Sequence, residues 1–362
     1  MPSEVSEREQ KVLNIIETAR AKKQKFRDAQ ITMAHGAGGK ATQSLIEGLL
    51  VPAFANETLE ALADAGTVSV LGGKVAMTTD SFVVNPITFP GGTIGELSVN
   101  GTVNDLAMAG ARPLALTLSL ILEEGLPADV LKQQVAAIAV ATEAAGVAIV
   151  AGDTKVVERG ACDQMYICTT GIGVLDDRAA LSPSALQPGD KIIVSGRIGE
   201  HGTAIMLARG EFELDADITS DTMSLWPMTD ALLERAGPSL RCLRDATRGG
   251  VASVLNELAR ASRVAMIINE AAVPVDPSVA GAAEILGIDA MYVANEGKLV
   301  AIVAPEAADE ALAAIQSVPG GEDAAIIGEC KTEPEGMVLM ATAFGGKRVM
   351  DQLVGDPLPR IC

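Results

Sequence analysis

Ile94-Gly-Glu-Leu-Ser-Val-Asn-Gly-Thr-Val-Asn-Asp-Leu-Ala-Met-Ala-Gly110 reads as a helix that is apolar nearly all the way round. Its polar residues are Glu96 in the first turn and a patch of Asn100, Asn104 and Asp105, with Asn100 and Asn104 one turn apart on one face. A helix without a polar face is a buried helix, and the flanking sequence supplies strands for it to pack on. Residues 68–71 and 75–77 are strand-like around the Gly72-Gly73 turn, and residues 147–150 form an apolar strand. The chain is 48% hydrophobic but only 2% aromatic, so its interior is built from Ala, Val, Ile, Leu and Met, a composition suited to helices packed on sheets. The expected class is α/β (α+β), with mixed sheets packed with helices.

At 362 residues the chain exceeds what one core usually holds, and two domains are expected. Residues 31–181 form the first, bounded by Ser182-Pro183 and Pro188-Gly189. The second, 182–350, opens on a strand at 191–194, continues through a helix near 251–261 and closes on strands at 299–303 and 338–341. Residues 1–30 form a charged extension with Val12, Ile15, Ile16 and Ala19 at helical spacing, expected to be an amphipathic helix. The tail, 351–362, is expected to be mobile; with Pro357 and Pro359 it can be neither helix nor inner strand.

A formal charge of −19 repels phosphate backbones and acidic membrane surfaces, which argues against nucleic acid and membrane partners. An anionic nucleotide would have to be held locally by divalent cations, helix N-termini or lysines. Five cysteines without a CxxC pair, and two histidines, argue against structural zinc and a disulfide framework. The sequence has no signal-like start and no long apolar run, so a soluble cytoplasmic protein is expected.

Carboxylates recur where α/β proteins hold ligands. Thr78-Thr79-Asp80-Ser81 is expected to follow a strand, as is Gly152-Asp153-Thr154-Lys155; each is either a ligand site or a capped, solvated turn. Asp105, on the buried helix, must be paired or coordinate a cation. Asp245-Ala-Thr-Arg-Gly-Gly250 opens a helix, with Asp245 either an N-cap or a ligand beside a glycine pair that lets an anion approach. His35-Gly-Ala-Gly-Gly-Lys40 precedes a helix near 42–50 but lacks P-loop spacing, and reads equally as a flexible loop. Glu296-Gly297-Lys298 reads as a turn where Glu is ordinarily solvated. His201 has no spacing that argues for catalysis, and Cys162, Cys168, Cys242 and Cys330 read as buried small hydrophobes.

These carboxylate motifs, the glycine-rich entry and the Pro-Arg-Ile-Cys terminus together resemble the hydrogenase maturation HypE family, within the superfamily of aminoimidazole ribonucleotide synthetase and selenophosphate synthetase, over about residues 35–362. The resemblance implies a homodimer with an ATP site near the junction of an ATP-binding N-terminal domain and a C-terminal domain. By that similarity Asp80, Asp105, Asp153 and Asp245 would hold Mg²⁺, and Gly36, Gly38, Gly39, Thr79, Asn104, Thr154 and Thr247 would surround the nucleotide. Lys155, Glu296 and Cys362 would be catalytic. The implied activity is ATP-dependent dehydration of a carbamoyl group on the thiol of Cys362 to a thiocyanate, the source of a hydrogenase cyanide ligand. The implied partners are the carbamoyltransferase HypF, which loads the thiol, and the HypC–HypD iron scaffold complex. Two alternatives remain at this point. A superfamily cousin phosphorylating a free small molecule leaves the cysteine terminus unexplained, and a non-catalytic carrier of a modified cysteine leaves the carboxylates unexplained.

Overall fold

The computed structural model describes residues 26–54, 56–70, 72–210, 216–342 and 345–353. Most of the expected N-terminal amphipathic helix and the terminal Cys362 lie outside these residues.

The first sheet is assembled from β1 (Gly66–Val70), β2 (Gly73–Phe82), β5 (Ala111–Glu123), β6 (Ala148–Val157) and β7 (Met165–Leu175), in the order β1-β2-β7-β5-β6. A short hairpin, β3 (Thr88–Phe89) and β4 (Gly92–Thr93), precedes the buried helix. Only β5 and β6 pair in parallel, and the helix Ala128–Ala145 makes the crossover that parallel neighbours require. One face of the sheet carries Phe82, Ile167 and Leu116 into the core against Leu97, Val99 and Val103 of the helix Ile94–Met108, and Ala76 against Leu106. Glycines permit the close approach, since a Cβ on Gly101 would stand 2.9 Å from the Phe82 ring and one on Gly171 would stand 2.8 Å from Thr102. Among the described residues nothing covers the opposite face of the sheet, leaving Met77, Leu114 and Val174 exposed.

The second sheet comprises β8 (Lys191–Val194), β9 (Leu240–Asp245), β10 (Ala265–Asn269), β11 (Leu299–Val303), β12 (Ala325–Lys331), β13 (Val338–Ala341) and β14 (Lys347–Met350), ordered β14-β13-β10-β12-β8-β11-β9. β11 is an unbroken apolar run because both its faces are covered. Val300 and Ile302 join a core with the helix Gly250–Ser262, while Leu299, Ala301 and Val303 join one with the helices Trp226–Ala236 and Ala308–Gln316. Ala107 and Met108, at the end of the Ile94–Met108 helix, belong to this last core. That helix is apolar all round because it is sandwiched between the first sheet and the second domain.

Three local expectations are corrected. Thr78 to Ser81 lie within β2 rather than after a strand, because the strand expected at 75–77 runs on to Phe82. Asp153, Thr154 and Lys155 are likewise inside β6, which continues past Gly152. Asp245 is the last residue of β9 and caps no helix; the N-cap of the helix Gly250–Ser262 is Gly249, whose φ of +75° only glycine adopts freely.

Candidate active site: an acidic cluster at the domain junction

Strand periodicity places Asp80 on the covered face of β2, beneath the Ile94–Met108 helix, which contributes Asp105 one turn beyond Gly101. Asp245 enters from the end of β9, and Asp64 from the segment just before β1. Carboxylate oxygens of Asp64, Asp105 and Asp245 all lie within 4.8 Å of one another, and Asp80 stands beside Asp105. Thr78 donates a short hydrogen bond to the Asp105 carboxylate.

Burial raises all four carboxyls, and repulsion from neighbouring carboxylates adds to the shift of Asp64, Asp105 and Asp245. The Asp64 group is pushed up to about 8, by desolvation first, against the pull of Arg244. Asp245 is pushed up to about 6, again chiefly by desolvation, with Arg244 opposing and Asp80 adding to the shift. Asp80 is raised by burial, with Arg248 pulling it back, and Asp105 is raised well above the usual range by burial and by Asp80. Buried like charges of this kind call for a cation. The donor set is all oxygen, as Mg²⁺ prefers, and so these residues fit a divalent metal.

Arg244 holds one side of the cluster. Its Nε lies 2.9 Å from Asp64 Oδ1, its Nη2 2.9 Å from Glu257 Oε2, and its Nη1 donates to the Leu62 carbonyl at 3.0 Å. This guanidinium ties the segment before β1 to the second domain.

Glu296 is buried beside the cluster at 4% exposure, which corrects the expectation of a solvated turn. Desolvation raises its carboxyl well above the usual range, and Asp245, Asp221 and Asp80 push it further. The Asn104 side-chain amide is occupied by the main chain: Nδ2 donates to the carbonyls of Met223 and Glu296, and Oδ1 accepts from Leu225 N–H at 2.7 Å. In this arrangement Asn104 ties the buried helix to the segments around Met223 and Glu296.

The glycine-rich entry is ordered. Met33–Gly36 is a 3-10 turn and Gly39 caps the helix Lys40–Leu45, which continues as a π-turn over Ile46–Leu50. Gly38, at φ +77°, rests on the Arg248 carbonyl, 2.9 Å from where a Cβ would be. The loop therefore lies against the Thr247–Gly250 entry to the helix Gly250–Ser262, with Thr247 half-buried. The last described residues dock on the same loop. Lys40 N–H donates to the Leu353 carbonyl at 3.2 Å, Lys40 Nζ lies 3.1 Å from Asp351 Oδ2, and Tyr292 OH donates to the Asp351 carbonyl.

Asp153, Lys155 and Thr79 are not part of this cluster. Asp153 shares a cross-strand row with Ser119, Cys168 and Ser81, on the uncovered face of the sheet. Its ion pair is with Lys155, and both are exposed. Thr79 is on that same face, bonded to the Thr169 carbonyl and Thr170 Oγ1. Thr154 is on the covered side, but in the edge strand, roughly 14 Å from β2 at about 4.8 Å per strand. Of the cysteines, Cys162, Cys242 and Cys330 are buried as expected, whereas Cys168 is half-buried. His201 is buried, its Nδ1 2.8 Å from Ser220 Oγ. Sequence reasoning missed Asp64, Arg244, Asp221 and Lys298. Asp64 carries a usable signal, a carboxylate at a strand entry, but the neighbouring Ala63 and Ala65 give no motif to mark it.

A two-domain chain whose carboxylates meet at the domain junction belongs to the AIR synthase related proteins: residues 62–175 match the N-terminal domain of that family and residues 187–340 its C-terminal domain. Within it, the chain is 48% identical over 350 residues to "Carbamoyl dehydratase HypE" of Rhizobium leguminosarum bv. viciae, covering 97% of this chain and 100% of the relative. The chain belongs to the HypE carbamoyl dehydratase family. Among solved structures, that of a HypE–HypF complex matches with a TM-score of 0.81 at 46% identity, over 85% of this chain and 99% of the other. A HypE in complex with ATP matches with a TM-score of 0.77 at 45% identity, over 92% and 100%. No helix among the described residues is long and apolar enough to cross a membrane.

Proposed function

We propose that this chain uses ATP to dehydrate a carbamoyl group carried on the Cys362 thiol, giving a thiocyanate that supplies the cyanide ligand of a nickel–iron hydrogenase. The observation that carries the reading is the partly buried cluster of Asp64, Asp80, Asp105 and Asp245 with the buried Glu296 beside it, in a chain of this family. Removing water from R–S–C(=O)–NH2 requires the oxygen to become a leaving group. Phosphoryl transfer from ATP to that oxygen, with loss of one N–H proton, gives R–S–C(=NH)–OPO3²⁻, and removal of the second N–H proton then expels phosphate and leaves R–S–C≡N, with ADP as the other product. A bound Mg²⁺ would supply charge neutralisation for the ATP phosphates, and the four aspartates are the residues to hold it. Gly36, Gly38, Gly39 and Thr247 line the approach with backbone groups at a helix entry, where anions are favoured. Glu296, with its carboxyl raised by burial, takes the N–H proton.

The tail has the reach this needs. Nine residues follow Leu353, ending at Cys362, and at ~3.3–3.6 Å each they can reach about 30 Å from an anchor on the glycine-rich loop. Asp153, Lys155 and Thr79 serve the site through a second copy. The uncovered face of the first sheet, with exposed Met77, Leu114 and Val174, is the surface on which a homodimer would form, and it carries Asp153, Lys155 and Thr79. Lys155 then steadies the developing phosphate. HypF loads the thiol, and the HypC–HypD complex receives the cyano group, in the cytoplasm. Sedimentation of the purified protein tests the dimer. Incubation with HypF, carbamoyl phosphate and Mg²⁺-ATP, followed by intact mass of the C-terminal peptide, tests the activity. A cyano group on Cys362 supports it, and a carbamoyl group that persists despite ATP refutes it.

A further inference from the structure

The segment Thr219–Leu225 runs as a strap across both domains. On the first domain, Ser220 N–H donates to the Pro90 carbonyl at 2.8 Å, Asn100 Nδ2 donates to Thr222 Oγ1 at 3.2 Å, and Asn104 grips Met223 and Leu225. On the second, His201 Nδ1 lies 2.8 Å from Ser220 Oγ, and the Asp221 side chain makes two further contacts. Asp221 Oδ1 accepts from the Glu296 backbone N–H at 3.0 Å, and Asp221 Oδ2 lies 3.1 Å from Lys298 Nζ. The Asp221 carbonyl covers Gly297 so closely that a Cβ there would stand 1.8 Å from its oxygen. Asp221 and Lys298 are both buried, with side-chain exposures of 1% and 7%. Glu200 Oε2 stands 3.4 Å from the same ammonium, and the lysine stem packs on Gly196.

A buried ion pair of this kind adds little stability over an apolar pair, so its presence calls for another reason. Here its geometry supplies one. Lys298 fixes the rotamer of Asp221, and Asp221 fixes the main chain of Glu296, whose carbonyl Asn104 holds from the other side. We infer that Asp221, locked by Lys298, is a positioning residue that sets the Glu296 side chain in place for proton removal. The inference rests on the reading of Glu296 as the base. Misplacing a reacting group by about an ångström is enough to cost about 100-fold in rate, while ATP contacts elsewhere are untouched.

The experiment is single-turnover dehydration by full-length protein carbamoylated by HypF, with Mg²⁺-ATP affinity measured in parallel by calorimetry. Asp221→Ala is expected to slow dehydration ~10- to 100-fold with ATP affinity within about 3-fold of wild type. Asp221→Asn keeps an oxygen for the Glu296 N–H and leaves Lys298 its Glu200 partner; it is expected to retain more of the rate than Asp221→Ala and to fold even where Asp221→Ala does not. In a Glu296→Gln background, Asp221→Ala should cause no further loss, because both act through one step. The inference is overturned by wild-type rates in Asp221→Ala, by an equal loss of ATP affinity, by Asp221→Asn losing as much rate as Asp221→Ala, or by additive losses. A wild-type rate in Glu296→Gln alone removes the base assignment, a result separate from any of these.

Discussion

Asp245→Asn should make the metal-free protein more stable while weakening its hold on Mg²⁺-ATP. The native Asp245 carboxyl is pushed from 3.8 to about 6. One pKa unit is worth about 1.4 kcal/mol, so keeping this group ionised in the empty site costs up to about 3 kcal/mol. The sign follows from linkage. A carboxyl raised on folding binds more protons in the native state, so stability is greatest below its unfolded value and falls as pH rises through the folded one. For Asp245 that window is about pH 4 to 6, and for Asp64, raised to about 8, it extends to about pH 8. Asp153, Asp176, Asp276 and Glu329 are lowered instead, so their contributions change at more acid pH. Urea unfolding in EDTA should therefore show wild-type stability declining from pH 5.5 to 8.5. The Asp245→Asn variant should gain about 1–3 kcal/mol over wild type at pH 7.5, and Mg²⁺ should stabilise wild type more than the variant. A metal-free wild type that grows more stable over this range, or a variant less stable than wild type in EDTA, would refute the reasoning.

Asp105→Asn or Asp80→Asn should weaken Mg²⁺-ATP binding without unfolding the protein; unchanged affinity of both by calorimetry would remove the metal assignment. Glu296→Gln should bind ATP normally but slow dehydration by ~10²-fold or more, so that carbamoylated tail accumulates in mass spectra. Arg244→Met should destabilise the fold by about 3 kcal/mol, since it leaves the largely buried Asp64 without its partner and breaks the tie to the Leu62 carbonyl, and a shift in urea midpoint measures this. Cys362→Ala, and separately a tag appended after Cys362, should stop or impair thiocyanate formation with nucleotide binding retained.

The elements whose bounds could be read directly were those with uniform environments. The apolar runs Lys191–Val194, Leu299–Val303 and Val338–Ala341 are strands of the second sheet as expected, and the helix Ile94–Met108 betrays its sandwiching by having no polar face. β2 and β6 were truncated in the reading because their later halves, Thr78 to Ser81 and Asp153 to Lys155, are polar. That polarity comes from the acidic cluster on one face of β2 and an uncovered face on the other, environments created by tertiary structure. The same cause hid Glu296: its letters describe a turn, and only the strap from Asp221 and the packing of Asn104 bury it. Asp80, Asp105 and Asp245 were legible because each sits in a distinctive local motif. Asp64 was not, since its partner Arg244 lies far away in the chain and only the fold brings them together.

The central claim concerns one sulfur atom. Full-length protein incubated with HypF, carbamoyl phosphate and Mg²⁺-ATP, then digested and measured by mass spectrometry, should carry one cyano group in place of the thiol hydrogen on Cys362, and a carbamoyl group there when ATP is omitted. A cyano group on Cys162, Cys168, Cys242 or Cys330 instead, or a Cys362 carbamoyl group unchanged by ATP, would contradict the account.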